Sequence, residues 1–261
     1  MAHKARVAVH KFSSCDGCQL AFLNLGPTLL DLAEAVELVH FAEAGPVDPE
    51  AKVDIAFVEG SINTPEDEDR IHKVRECATF LVTIGACATA GGVQALRNGQ
   101  SSDEWMARVY AKPEYIETLA TSTPIAHHVK VDFELWGCPV TSRQVLASIT
   151  SLTLGVTPSE DVDKVCMECK RRQVVCVLVT RGVPCMGPVT RTGCGALCPS
   201  FGRDCYACFG PAESTNTRSL ARRFEGLGLL PEAVSRRFLF INNEAPAFRE
   251  AALTALEKQD E

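Results

Sequence analysis

At 261 residues and 28.2 kDa, with 46% hydrophobic and 23% charged residues, the chain has the composition of a soluble globular protein of one large domain or two modest ones. Its net charge of −7 argues against a nucleic-acid partner, whose phosphates call for a basic face. The departure from the ordinary is sulfur: of thirteen cysteines, five lie between Met1 and Ser159 and eight between Cys166 and Cys208.

Residues 1–6 run into an apolar stretch without a secretory core or cleavage site. The longest apolar run, 78–93, is broken by Thr79, Thr83, Gly85 and Thr89 and is too short to span a bilayer. A cytoplasmic location without a membrane span is expected, and there so many cysteines point to metal binding rather than disulfides.

From residue 5 to 154 short apolar runs alternate with amphipathic segments, the pattern of an α/β fold with a parallel sheet covered by helices. Strands are expected at 6–9, 36–41, 54–58, 80–84 and 133–135. After the first comes Cys15-Asp16-Gly17-Cys18, opening a helix with Leu20, Phe22 and Leu23, where unpaired amides would stabilise thiolate. Thr64 caps a helix that has Pro65 at its first position, acids in its first turn, and an end near Cys77. The segment 99–128, with Trp105, Tyr110 and Tyr115, reads as a surface excursion. A last helix, 141–152, would place Val145, Leu146 and Ile149 on one face.

Cys87 follows the fourth strand and Cys138 the fifth. Carboxyl ends of parallel strands gather at one edge, so Cys15, Cys18, Cys87 and Cys138 should converge there, and four thiolates fit a 4Fe-4S cluster. A thioredoxin-type redox pair would leave Cys87 and Cys138 idle. Cys77, away from the strand ends, is read as a small buried apolar residue.

Gly, Pro, Ser and Asp between 155 and 161 mark a boundary, giving domains 1–155 and 156–261. Beyond it stand Cys166, Cys169, Cys176, Cys185, Cys194, Cys198, Cys205 and Cys208. They form two C-x-x-C pairs and one C-x3-C-P, the closing element of a bacterial ferredoxin signature, and supply two four-ligand sites. Interspersed Gly182, Gly187, Gly193, Gly195 and Gly202 would let amides approach inorganic sulfur. Apolar residues are few, so metal binding is expected to supply folding energy. Two structural zincs are the competing reading. Further on, Leu220, Phe224 and Leu227 share one helix face and Phe248, Ala252 and Leu256 another; Arg222-Arg223 and Arg236-Arg237 read as solvated.

With these motifs placed, the chain resembles the small subunits of nickel-iron hydrogenases along nearly its whole length. The likeness is carried by Ser14-Cys15-Asp16-Gly17-Cys18, Val58-Glu59-Gly60-Ser61, residues 85–93, Gly137-Cys138-Pro139 and residues 184–194. The last run looks like the cytoplasmic multi-subunit class, and the layout is similar to the delta subunits of NADP-linked sulfhydrogenases. The resemblance implies a flavodoxin-like domain holding a proximal cluster on Cys15, Cys18, Cys87 and Cys138. A small irregular ferredoxin-like domain with C-terminal helices would hold the medial and distal clusters on the other eight.

It further implies three 4Fe-4S clusters and no catalytic residue in this chain, with Glu59 either a tuning or proton-handling candidate or a structural turn carboxylate. A partner large subunit would carry the NiFe centre, with segment 99–128 a candidate contact. Flavin and iron-sulfur diaphorase-type subunits would accept electrons, making the whole an oxidoreductase of H2:NAD(P)+ type. Relays serving F420 or heterodisulfide reductase share the layout. The complex I cluster subunit shares the first-domain fold but carries adjacent cysteines in place of Cys15-x-x-Cys18. Periplasmic relatives use a histidine on the distal cluster; here the second domain has none, which argues against His127 and His128 as ligands.

Overall fold

The computed structural model describes residues 4–159 and 163–257. Strands β1 (Ala5–Lys11), β2 (Val36–Phe41), β3 (Val53–Glu59), β4 (Ala78–Ile84) and β5 (Phe133–Leu135) form one all-parallel sheet in the order β2-β1-β3-β4-β5, a flavodoxin-like arrangement. The expected strands are all present, within two residues at each end. β1, β3 and β4 each carry four or more consecutive buried residues because helices cover both faces of the sheet.

The two-residue period of the strands divides the core. Val7, Val9, Ile55, Phe57, Val82 and Ile84 face α1 (Gly17–Leu23) and share their cluster with Leu32 of α2 (Thr28–Ala35). Ala8, Ala56, Val58 and Leu81 face Ile71 and Val74 of α3 (Pro65–Cys77). That helix starts with a capping box: the Asp67 amide donates to Thr64 and the Thr64 amide to the Asp67 carboxylate. Fully burying an aromatic such as Phe57 stabilises by about 1.5–3 kcal/mol, so Phe57→Ala would gut this layer.

α4 (Gly85–Ala90) follows β4 directly, and α5 (Ser102–Val109) lies in the surface excursion. α6 (Ser142–Thr153), capped by Thr141, buries Val145 and Ile149 with the β1 face as expected; Ser148 takes the buried place expected for Leu146, which is half-exposed. Cys77 departs from expectation as well. As the last residue of α3 it is only half-buried, its thiol donating to the Glu50 carbonyl at 3.5 Å, because the helix end reaches the rim of the sheet.

The cysteine-rich stretch carries α7 (Val165–Arg171), α8 (Val177–Thr180) and α9 (Leu197–Ser200), followed by α10 (Thr217–Glu225), α11 (Pro231–Phe238) and α12 (Pro246–Glu257). A third core joins Val165, Val177, Met186, Val189 and Ala196 to Phe224, Phe238 and Phe248. Metal is therefore not the sole source of order here: the three last helices lend the apolar surface that the cysteine stretch lacks. Nor is Arg237 merely solvated. Its guanidinium pairs with buried Asp204 at 2.5 Å and lies 5.6 Å from the Tyr206 ring centre. The expected linker is described only up to residue 159; its residues 160 and 161 lie outside the described residues.

Sheet and C-terminal core meet at Trp136, which belongs to the third cluster although it follows β5 by one residue. Gly210 makes this possible: with φ +73°, any Cβ there would lie 2.1 Å from Trp136 Cε3. Arg191 stands 5.2 Å from the indole centre on the same joint. The Glu244 amide donates to the Ala90 carbonyl at 3.1 Å and Asn243 Nδ2 to the Gly92 carbonyl at 3.0 Å, tying the last helices to the end of α4.

Candidate metal centres

All thirteen cysteines are free thiols. Cys15 lies in the turn leaving β1 and Cys18 in the first turn of α1. Cys87 lies in α4, and Cys138 three residues beyond β5 in a cis Cys138–Pro139 link. All stand past the carboxyl ends of their strands, and the electrostatics show that they are neighbours. Burial pushes the Cys87 thiol up to about 12, helped by Cys138 and Cys15. Cys18 is raised by burial and then by Glu59, with Cys87 and Cys138 adding to it; Cys138 is raised by burial and then Cys15. Four thiols so placed resist joint ionisation unless a multivalent cation offsets their charge, so the donor set suits a cationic cluster.

The backbone makes room for these sulfurs. A Cβ on Gly85, φ +85°, would fall 2.3 Å from Cys18 Sγ, and one on Gly92 would fall 2.5 Å from Cys87 Sγ. Glu59, at the end of β3, is buried and accepts the Cys18 amide at 3.0 Å on Oε1; its Oε2 makes no hydrogen bond with the described residues. Burial pushes its pKa up, against the pull of the Cys18 amide. Gln94, which no motif announces, accepts the Cys87 thiol at 3.3 Å and donates to the Ser13 carbonyl at 2.9 Å, tying two ligand loops together.

The other eight thiols sort by their mutual influence. Burial pushes Cys166 up to about 11, with Cys185, Cys169 and Cys176 adding to it. Cys169 is raised by burial and then by Cys185, Cys176 and Cys194. Burial likewise raises Cys185, against the Cys205 amide, which donates to its sulfur at 3.3 Å. Cys208 is pushed up to about 12 by burial and then by Cys194, Cys138 and Cys198. Cys205, raised by burial, feels both Cys185 and Cys208. The sequence left the partition of these eight open; Cys166, Cys169, Cys176 and Cys185 act on one another, as do Cys194, Cys198 and Cys208, while Cys169 also feels Cys194 and Cys205 feels both Cys185 and Cys208, so the two groups adjoin. Cys208 also reaches back to Cys138.

A Cβ on Gly187 would meet both Cys166 Sγ and Cys185 Sγ at 3.5 Å, an ordinary contact that places the two sulfurs on either side of this residue. Two of the glycines expected to face inorganic sulfide are otherwise engaged. Glu168 Oε1 accepts the amides of Gly193 at 2.9 Å and Gly195 at 3.1 Å, and Oε2 that of Ala196 at 2.9 Å. Lying between Cys166 and Cys169, Glu168 thus clamps the loop that carries Cys194. Its place inside C-x-x-C was visible in the sequence; its partners were not. Among the described residues no three Cys, His, Asp or Glu side chains are close enough to share one metal ion, whereas in a 4Fe-4S cluster each thiolate meets its own iron.

A parallel sheet with thiols gathered at its carboxyl edge, joined to a second thiol-rich unit, is the arrangement of an α/β cysteine-cluster protein. Residues 15–152 match the family NADH ubiquinone oxidoreductase, 20 Kd subunit, and the chain belongs to that family. It is 35% identical over 211 residues to sulfhydrogenase 2 subunit delta of Pyrococcus furiosus, covering 81% of this chain and 88% of that one. It is 30% identical to one of the subunits of the F420-non-reducing hydrogenase vhu of Methanocaldococcus jannaschii, covering 80% of this chain and 83% of that one. A solved NAD+-reducing [NiFe]-hydrogenase chain superposes with a TM-score of 0.56 at 28% identity, over 60% of this chain and 96% of that one. The described helices include none long and apolar enough to cross a membrane.

Proposed function

We propose that this chain is the electron-transfer small subunit of a cytoplasmic [NiFe] hydrogenase complex, carrying three 4Fe-4S clusters. The carrying observation is that Cys15, Cys18, Cys87 and Cys138, far apart in sequence, influence one another at the strand ends, with Cys208 continuing from Cys138 into the second group. Clusters bound there supply one-electron transfer at potentials set by charge, burial and hydrogen bonds to sulfur. Cys15, Cys18, Cys87 and Cys138 hold the proximal cluster. Cys194, Cys198, Cys205 and Cys208 hold the next, nearest Cys138, and Cys166, Cys169, Cys176 and Cys185 the last. Glu59 fixes the Cys18 amide and is a carboxylate positioned to tune the proximal site or take a proton.

On this reading, residues 1–155 and 156–261 are the two domains. Hydrogen is activated on a partner large subunit, and a flavin subunit serving NAD(P) receives the electrons, in keeping with the NAD-reducing relative of Cupriavidus necator. The relatives described as F420-non-reducing favour a second reading, in which the same relay feeds another acceptor. Anaerobically purified protein should contain about twelve irons with matching sulfide; about two zincs and no sulfide would refute the relay. Hydrogen-dependent reduction of NADP, NAD and F420 by the copurified complex decides the acceptor.

A further inference from the structure

The proposed last cluster includes a cysteine at the molecular surface. Cys176 is exposed and sits at the start of α8. Around it stand four bare apolar side chains: Val175 at 69% exposure, Val179 at 75%, Leu197 at 56% and Phe201 at 78%. They come from two stretches, which arginines tie into one face. Arg172 donates to the Gly195 carbonyl at 2.5 Å, and Arg181 donates to the Gly202 carbonyl. Isolated exposed apolar residues need no explanation, but four joined across two loops do.

Charge says what covers them. From Lys164 to Arg203 the chain has seven Lys and Arg residues and one acidic residue, in a protein whose net charge is −7. That acid is Glu168, whose carboxylate is turned onto the amides of Gly193, Gly195 and Ala196. Lys170, Arg172, Arg181 and Arg203 are exposed, and Arg171 is paired with Asp163. The result is an apolar centre with a basic collar, the complement of an apolar spot rimmed by carboxylates.

We propose that this face docks a one-electron carrier protein with an acidic rim, and that electrons leave the chain here. The proposal rests on the relay reading and places a carrier protein between this chain and the flavin subunit. Each encounter passes one electron, oxidising this chain and reducing the carrier. The collar steers approach, and the apolar quartet sets the docked geometry beside Cys176.

The test uses the full chain, purified anaerobically with its iron and reduced with stoichiometric dithionite, and mixed by stopped flow with an acidic plant-type two-iron ferredoxin. The expected rate falls as salt is added, whereas that with basic cytochrome c does not. Lys170→Glu combined with Val179→Glu should lower the ferredoxin rate about tenfold or more. Phe201→Ser should lower it while leaving the salt slope intact. Iron content and the EPR spectrum stay as in the parent for both variants.

Parental rates in iron-replete variants, or a ferredoxin rate that rises with salt, overturn the proposal. So does variant-sensitive binding of the parent to phosphatidylserine vesicles or single-stranded RNA, which would assign the face to a membrane or to nucleic acid. A chain that takes up neither iron nor electrons sinks the relay reading itself, and the docking face with it.

Discussion

Replacing Gly85 with alanine attacks the proximal site through the backbone alone. At φ +85° an L-residue is strained by about 1–2 kcal/mol relative to glycine. The added Cβ would stand 2.3 Å from Cys18 Sγ and must gain at least about 0.7 Å, where real contacts begin at 3.0 Å. Cys18 is buried under β1 and cannot yield alone, so α1 and α4 move apart and a ligand leaves its place. The expected protein folds, melts roughly 2–8 °C lower, and holds about eight irons instead of about twelve, the eight C-terminal cysteines keeping theirs. Iron and sulfide analysis with EPR of the reduced protein reads this directly. Full iron content with parental melting would refute the argument that this glycine exists to make room for a ligand.

Other perturbations test other parts. Burial, with His40 stacked at 4.6 Å and Arg70 nearby, lowers the His10 pKa to about 3, so this imidazole is neutral when folded. Its stability contribution is complete above the unfolded value near 6.5 and is lost as pH falls toward 3, by about 2 kcal/mol at pH 5. Urea unfolding of His10→Gln at pH 7 and pH 5 should show that loss removed. Gly210→Ala should displace Trp136 and loosen the joint, with Trp136 fluorescence shifting red and proteolysis between the two units quickening while both cores persist. Glu168→Ala frees three amides, each in a charge-assisted bond of about 1.5–3 kcal/mol, and should reduce iron in the C-terminal sites while the proximal EPR signal stays; an unchanged C-terminal spectrum would show the clamp to be idle.

The sheet was legible because its strands are short apolar runs ended by Gly or Cys turns, and β2 and β5 fall where the pattern puts them. The strand-end rule also gathered four scattered cysteines without any knowledge of side-chain contacts. Helical periodicity was less decisive where size and polarity trade places: Ser148 is buried and Leu146 half-exposed because the face packed on β1 is narrow. Glu168 and Gln94 were illegible as clamps, since their partners are backbone groups brought near only by the fold. The core beneath the cysteines was missed because much of its apolar surface comes from helices beyond the last cysteine, from Leu220 onward.

Trp136 belongs to the sheet by sequence and to the other core by packing, and Cys138 follows two residues later. A tilt of the C-terminal unit would therefore pull on Cys138, a proposed ligand of the first site, before it could open a gap. On the proposed relay, the step between the two units is set by the three residues Trp136 to Cys138. Thermal motion that would detune a relay built from two loosely docked modules would here be resisted by the main chain itself.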